Sequence, residues 1–477
     1  MSLTADLGRI VGAANVITDP VALRTYESDG LTGYRAQPLA VALPDSTEQV
    51  VRAVKACAAH RVPFVARGAG TGLSGGAVPV AEGIVIGLSR MRRILEVDVA
   101  NRSVRLQPGV TNLEVTRAVE PHGLYYAPDP SSQQVCTIGG NVAENSGGAH
   151  CLKYGFTTNH VLEAEVVLAD GSVVRLDDGG VLDLLGPVVG SEGTLGIVTE
   201  VVVRVLPRPQ RVETLLAAFA STDDAGEAVS AIIAAGIIPA AIEMMDALTI
   251  QAAEDAVHAG LPRDAGAVLL VELDGPSLEV ELLVEQADRL CRDAGAGDVR
   301  RAAGDAERAG FWRGRKAAFA AMGRVSPHYY VQDGVVPRTR LSQTLRRIAE
   351  LSEQYGLRVG NVFHAGDGNL HPLVLYDGGV EGQAQRAEQL ASEILLACVE
   401  AGGSLTGEHG IGLDKARYMP AMFGDADLDA MHRLRCGFDP DGRCNPGKVF
   451  PTPRLCGEVP GPYREHPLER EGVAERW

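Results

Sequence analysis

Two histidines with six residues between them stand in Asn361-Val-Phe-His364-Ala-Gly-Asp-Gly-Asn-Leu-His371, and a Glu-His pair follows in Gly407-Glu408-His409-Gly410-Ile411-Gly412. Neutral imidazole nitrogens and a carboxylate oxygen are the donor set of a divalent-cation site that keeps coordination positions open. His364, His371 and Glu408 are the expected ligands. Zinc is the first choice by ligand type, with manganese and iron as alternatives. His409 is left over as a base. An unperturbed imidazole titrates near 6.5 and is therefore largely neutral at pH 7. It can accept a hydroxyl proton, a contribution of about 10²- to 10⁴-fold in rate.

Glycine is the second signal. There are 56 glycines in 477 residues, well above the usual ~7%, and they gather in three runs. The first, Arg67-Gly68-Ala69-Gly70-Thr71-Gly72-Leu73-Ser74-Gly75, contains a formal GxGxxG at Gly70, Gly72 and Gly75. A nicotinamide site would need that loop to open a helix, whose N-terminus holds the pyrophosphate. Here Pro79 and an apolar run over residues 84–88 follow, so the loop joins strand to strand. Its unobstructed backbone N–H groups can still form a nest for a pyrophosphate, with Arg67, Thr71 and Ser74 adding donors. The second run holds Pro128-Asp129-Pro130-Ser131-Ser132, then Thr137-Ile138-Gly139-Gly140-Asn141, Ser146-Gly147-Gly148 and Tyr154-Gly155. Such small and polar residues pack poorly on one another, and they suit the edges and faces of a large flat ligand. The third run, Glu192-Gly193-Thr194-Leu195-Gly196-Ile197, immediately precedes a strand.

The elements that must hold these loops are legible from periodicity. Ser46 with Gln49, and Thr111 with Glu114, are capping boxes opening helices over 50–59 and 113–121. Strands are expected over 63–66, 84–88, 94–99 and 103–106. A hairpin over 161–168 and 172–176 turns at Asp170 and Gly171, and another strand runs over 197–205. Pro207 and Pro209 mark a boundary. Beyond it helices (222–235, 279–294, 341–355, 383–401) alternate with strand-like segments such as 267–272, which suits helices backing an antiparallel sheet. In the helix over 383–401, Ala387, Leu390, Ala391, Ile394, Leu395 and Cys398 share one face. The tail beyond Pro451 reads as a surface extension.

Composition closes off other classes. The 44 basic and 61 acidic residues leave a net charge of −17, which argues against nucleic acid as a partner. The longest apolar stretch, 228–242, is interrupted by Gly236 and Pro239 and falls short of the ~20 residues of a membrane span. No basic region precedes the short apolar run at the N-terminus, so a soluble, cytoplasmic protein is expected. The eight cysteines form no CxxC pair, which speaks against a disulfide framework and an iron–sulfur cluster.

Together the three glycine runs resemble the flavin-binding domain of the FAD-linked oxidases of the vanillyl-alcohol oxidase and p-cresol methylhydroxylase (PCMH) type. The chain is most similar to the FAD-linked subunit of bacterial glycolate oxidase and to D-lactate and D-2-hydroxyglutarate dehydrogenases. The resemblance implies an α+β fold, with a two-subdomain PCMH-type FAD-binding domain over 37–210 after an N-terminal helical segment, 1–36. A cap domain with an antiparallel sheet follows over 211–430, then a segment returning to the flavin over 431–451 and a tail, 452–477. It implies noncovalent FAD, with residues 68–75 at the pyrophosphate and 128–155 and 190–197 around the rest. The metal ligands of relatives fall on His364, His371 and Glu408. Arg315 occupies the position of a carboxylate-binding arginine, with Arg313 as rival, and Asn445 and Lys448 match a motif at the flavin edge.

The reaction implied is oxidation of glycolate or D-lactate to the 2-oxo acid, hydride passing from the α-carbon to flavin N5. Hydroxyglutarate-specific relatives carry a lysine at Val331 and a polar residue at Leu373. Apolar side chains there disfavour a second substrate carboxylate, because a buried charge without a partner is expensive. D-2-hydroxyglutarate is therefore the alternative substrate. A metal-dependent hydrolase and a non-catalytic flavoprotein subunit are the rival classes. The electron acceptor is expected to be another subunit, such as an iron–sulfur protein, or a quinone reached through a partner. That would put the protein at the inner membrane face without a span of its own. A homodimer stays open.

Overall fold

The computed structural model describes residues 2–177, 179 and 182–451; the expected tail over 452–477 lies outside them. Four sheets carry the chain. Near the N-terminus, Val16–Ile17, Ala40–Ala42, Ile84–Gly87 and Phe64–Arg67 lie side by side, the last three parallel. The glycine run after Phe64–Arg67 therefore connects two parallel strands with no helix between them, and the nicotinamide geometry is absent. The buried Val50, Ala53, Val54 and Cys57 of the helix Thr47–His60 back this sheet. Ser46 caps that helix by accepting from the Gln49 N–H.

A five-stranded antiparallel sheet follows, in the order Ile94–Asp98, Ser103–Leu106, Ile197–Arg204, Val161–Val167, Val173–Asp177. The helix Asn112–Val119 packs on it under the Thr111–Glu114 capping box. This helix stops short of residue 121: Pro121 cannot donate to the ladder, and a 3₁₀ turn takes over at Glu120–His122. The second glycine run is more ordered than its composition suggests. Ile138–Glu144 is a helix whose N-cap, Thr137, accepts from Gly140 N.

After Pro207 the chain enters a nine-stranded sheet. Its main path is Asp298–Arg301, Arg211–Phe219, Ala267–Gly275, Ala241–Asp246, Val359–His364, Asn369–Leu370 and Gly334–Val335, while Pro372–Tyr376 and His328–Val331 pair beside it. One core unites this sheet with the helices Thr222–Ala234, Ser277–Asp293, Leu341–Tyr355 and Gln383–Glu400. The six residues expected on one face of the last helix are all buried. Burying a side chain such as Phe363 contributes about 1.5–3 kcal/mol, and Phe363 is fully buried one residue before His364. The strand carrying the first histidine is thus anchored by its apolar neighbour.

The chain then returns. Cys444 forms a parallel bridge to Phe64, and Asn445 N donates to Phe64 O. Among the described residues no helix is long and apolar enough to cross a membrane.

Candidate active site

One cavity of about 840 Å³ lies between the glycine loops and the large sheet, within the ~300–1,000 Å³ typical of ligand pockets. Its wall takes Gly68, Gly70, Thr71, Gly72 and Leu73 from the first run. From the second come Ser131, Ser132, Thr137, Gly140, Asn141 and Ser146, and from the third Glu192, Gly193 and Gly196. The opposite wall is built by Arg315, Phe319, Tyr329, Tyr330, His364, His371, Glu408 and His409.

The glycine loops pack on their neighbours too closely to admit side chains, which keeps their backbone at the cavity wall. A Cβ on Gly68 would lie 2.2 Å from Thr137 Oγ1, and one on Gly76 would lie 2.6 Å from Glu144 Oε1. Gly70 has φ +71°, and a Cβ there would meet Arg67 Nη2 at 2.1 Å. Glu144 lines the cavity and its buried Oε2 has no hydrogen-bond partner, a place for a hydroxyl of a bound molecule. Burial, with the charge of Glu192 beside it, pushes the Glu144 carboxyl well above its usual range.

Several expected cofactor residues do other work. The Arg67 guanidinium, expected as a phosphate donor, lines the cavity and donates to the carbonyls of Ala77 (3.0 Å) and Ser28 (2.8 Å), which shapes the loop. Ser74 and Gly75 do not line the cavity; the Ser74 carbonyl accepts from Leu413 N and Asp414 N. Pro128, Gly147, Gly148 and Ile197 are also set back from it. Tyr154 and Gly155 lie on another face. There Tyr154 donates to Asp274 at 2.6 Å, alongside an ion pair between Lys153 and Asp274. Asn445 and Lys448 are buried behind the first loop. Asn445 Nδ2 donates to Gly76 O and Glu192 O, and Lys448 Nζ donates to Val78 O.

The cation donors converge. His364 Nε2 and His371 Nε2 each lie 3.2 Å from Glu408 Oε1, and one ligand atom from each residue falls within a common 4.8 Å. Ligands at ~2.0–2.2 Å from a zinc ion stand roughly 3.3 Å apart in a tetrahedral arrangement, so the set fits a divalent ion. The second histidine backs onto main chain: its Nδ1 is 3.4 Å from Gln332 O. Burial disfavours charge on Glu408, yet the two imidazoles hold its carboxyl well below the usual range.

His409 stacks on His371, ring centroids 4.9 Å apart and 11° from parallel. Burial pushes its imidazole down to about 4, so it is neutral near pH 7. The loop bearing it is pinned from both sides. Asp333, fully buried, accepts from the backbone N–H groups of Gly407, Glu408 and His409 and pairs with Lys415 Nζ at 3.3 Å. From the glycine-loop side, Glu192 accepts from Ile411 N at 2.6 Å and Gly412 N at 2.7 Å. Glu192 itself holds φ +53°, a conformation uncommon for a side-chain-bearing residue.

Arg315 lines the cavity but is 2.5 Å from Glu243 Oε2, a pairing no motif announced. Its Nη2 is engaged by Glu243, whereas its buried Nε has no hydrogen-bond partner. Val331 contributes an apolar patch of wall and pairs across the strands with Leu373. Sequence reading missed Asp333, Glu243, Glu144 and the wall loop Gly30-Leu31-Thr32-Gly33. Glu243 does leave a trace, as a lone charge inside the apolar run Ala-Ile-Glu-Met-Met.

Comparison with known proteins agrees on both halves. Residues 38–177 match the FAD binding domain model, and residues 208–449 match the C-terminal domain of FAD linked oxidases. The chain is 52% identical over 445 residues to the glycolate oxidase subunit GlcD of Escherichia coli (strain K12), covering 92% of this chain and 89% of that one. It is 42% identical over 432 residues to GlcD of Bacillus subtilis (strain 168), covering 89% and 92%. It is 34% identical over 438 residues to a D-lactate dehydrogenase of Anaerostipes hadrus, covering 89% and 92%. Among solved structures, p-cresol methylhydroxylase superposes with a TM-score of 0.80 at 17% identity, covering 94% of this chain and 96% of that one. The loops that form one wall of the cavity and the sheet that forms the other thus have counterparts in a single lineage, and the chain belongs to the FAD-linked oxidases.

Proposed function

We propose that this chain oxidises a short 2-hydroxy acid, glycolate or D-lactate, to the 2-oxo acid. The observation that carries the reading is the shared cavity: the glycine loops and the His364–His371–Glu408 cluster face one space. FAD, when bound, supplies a two-electron acceptor for the hydrogen on the substrate α-carbon, and a divalent ion supplies Lewis-acid charge beside it. His364, His371 and Glu408 hold the ion. His409, neutral because it is buried, receives the hydroxyl proton at Nε2, the ring atom 3.8 Å from Glu408 Oε1. Arg315 holds the substrate carboxylate, a role supported by its Nε, a buried donor without a hydrogen-bond partner. Phe319 and Val331 exclude water and leave a second substrate carboxylate without a partner.

The relatives named glycolate oxidase subunit support a further part of the reading, that the chain works with partner subunits; we propose that one of them accepts the electrons, an iron–sulfur protein being the expected kind. The chain divides at Pro207–Pro209, between the last strand of the five-stranded sheet and the first of the nine-stranded one.

Anaerobic titration with a panel of short 2-hydroxy acids tests the reading. The expected protein is yellow, and glycolate or D-lactate bleaches it, while D-2-hydroxyglutarate does so poorly. His409→Ala is expected to keep the colour and lose the bleaching; unchanged reduction would show that another group is the base. Colourless protein would favour a metal-dependent hydrolase, and coloured protein inert to every hydroxy acid would favour a non-catalytic subunit.

A further inference from the structure

We propose that Glu243 is a positioning residue for the cation site, clamped by Arg315 on one side and fixing the imidazole of His364 on the other. Glu243 and His364 are direct cross-strand partners in the antiparallel pairing of Ala241–Asp246 with Val359–His364. Side chains directly opposite one another in such a pair emerge on the same face. The register therefore delivers the carboxylate to the imidazole: Glu243 Oε1 is 2.7 Å from His364 Nδ1. Both residues are buried.

A proton on Nδ1 donated to Glu243 leaves the lone pair on Nε2, the atom that faces Glu408 at 3.2 Å. The carboxylate thus selects the tautomer that can ligate, fixes the ring plane and raises the basicity of the ligating nitrogen. Arg315 completes the device. Its Nη2 sits 2.5 Å from the other oxygen, Oε2, so the charge of Glu243 is balanced from behind. Removing Arg315 would leave a buried carboxylate free to turn into the cation site. The same clamp gives Arg315 a role before any substrate arrives.

The inference rests on the metal reading above, and the experiment separates the two. Zn²⁺ is titrated calorimetrically into metal-stripped, flavin-loaded protein. Wild type is expected to bind one equivalent; no binding would overturn the metal reading and this inference with it. Glu243→Gln keeps the volume and one acceptor oxygen for His364 Nδ1 but removes the charge and turns the other oxygen into a donor. Its dissociation constant is expected to rise about 10- to 100-fold, with flavin content as in wild type and a lower metal-free melting temperature, because Arg315 loses its buried charge partner. Binding within twofold of wild type would overturn the inference alone.

Should Glu243→Gln fail to fold because Arg315 is left unpaired, the double variant Glu243→Gln/Arg315→Met removes both charges and is expected to show the same weakening. Glu272→Gln alters another buried carboxylate that meets a histidine, His150, at 3.1 Å, and whose other partners, Thr214 and Trp312, are not cation donors. It is expected to leave Zn²⁺ affinity unchanged. An equal loss there would assign the effect to general loosening and overturn the positioning role.

Discussion

Replacing Asp333 with Asn should be among the most damaging isosteric changes in this protein. The side chain is fully buried, and its two oxygens serve the N–H groups of Gly407, Glu408 and His409, the Thr406 hydroxyl and the Lys415 ammonium. An amide keeps the volume but turns one acceptor into a donor facing backbone donors, and it strands Lys415, itself 1% exposed. Breaking a buried ion pair by removing one partner costs about 3–5 kcal/mol. At roughly 2–4 °C per kcal/mol for a cooperative unit of 150–250 residues, the melting midpoint falls by on the order of 10 °C.

The sign with pH follows from the direction of the shift. Burial disfavours the Asp333 charge, but His409, Lys415 and His371 outweigh it and the carboxyl titrates below its usual value. The stabilisation is therefore fully present above the unfolded value near 3.8. It is lost only as pH falls through the lower, folded value. Calorimetry of wild type and Asp333→Asn is expected to show a constant gap from pH 5 to 8 that narrows only in acid. Hydride transfer should slow as well, because the loop carrying His409 loses its anchor. A midpoint within ~2 °C of wild type at pH 7, less than about 1 kcal/mol, would refute the reasoning.

Gly68→Ala puts a methyl group 2.2 Å from Thr137 Oγ1 and should yield protein without flavin colour. Gly123→Ala, with φ +71° but nothing within 4 Å, should cost about 1–2 kcal/mol of stability and keep the flavin; equal flavin loss in both would show that the cradle argument fails. His150 joins the second glycine run to the large sheet through Asp129 at 2.9 Å and Glu272 at 3.1 Å. Burial opposes its charge, yet those carboxylates raise its pKa well above 6.5. Its stabilising contribution is therefore complete below the unfolded value and disappears as pH rises through the folded one. The melting difference between wild type and His150→Asn should be largest at pH 6 and shrink in alkali, and a gap that grows with pH would contradict the assignment.

Residues whose job is local could be read directly from the sequence. The N-cap at Ser46, the capping box at Thr111, the hairpin at Asp170–Gly171 and the buried face of the helix Gln383–Glu400 follow from periodicity and turn chemistry within a few residues. Each depends on neighbours that the chain itself supplies. At Ser46 the box is only half formed, because the Gln49 side chain accepts from Asp45 N. The convergence of His364, His371 and Glu408 could be expected because imidazole and carboxylate donors among glycines form the donor set of a cation. The three glycine runs were legible because glycine in such density marks backbone approaching something. What those glycines approach was not. Gly72 and Gly76 face the cavity, whereas Gly75 makes room for Leu413 in the loop beyond His409 and Gly412 makes room for Ser74.

Long-range register decided the rest. Nothing near Glu243 in sequence indicates that strand pairing sets it opposite His364, 121 residues away. Nor does anything near Asp333 foretell the three N–H groups it collects from residues 407–409. Tyr154 belongs to the second glycine run, and Asn445 and Lys448 match a family motif at the flavin edge. In the folded chain their partners are carboxylate and carbonyl groups from distant segments. A buried polar group must find a partner wherever the fold brings one. Composition therefore announces that a site exists, while the pairing of strands chooses which side chains build it and which only hold its walls in place.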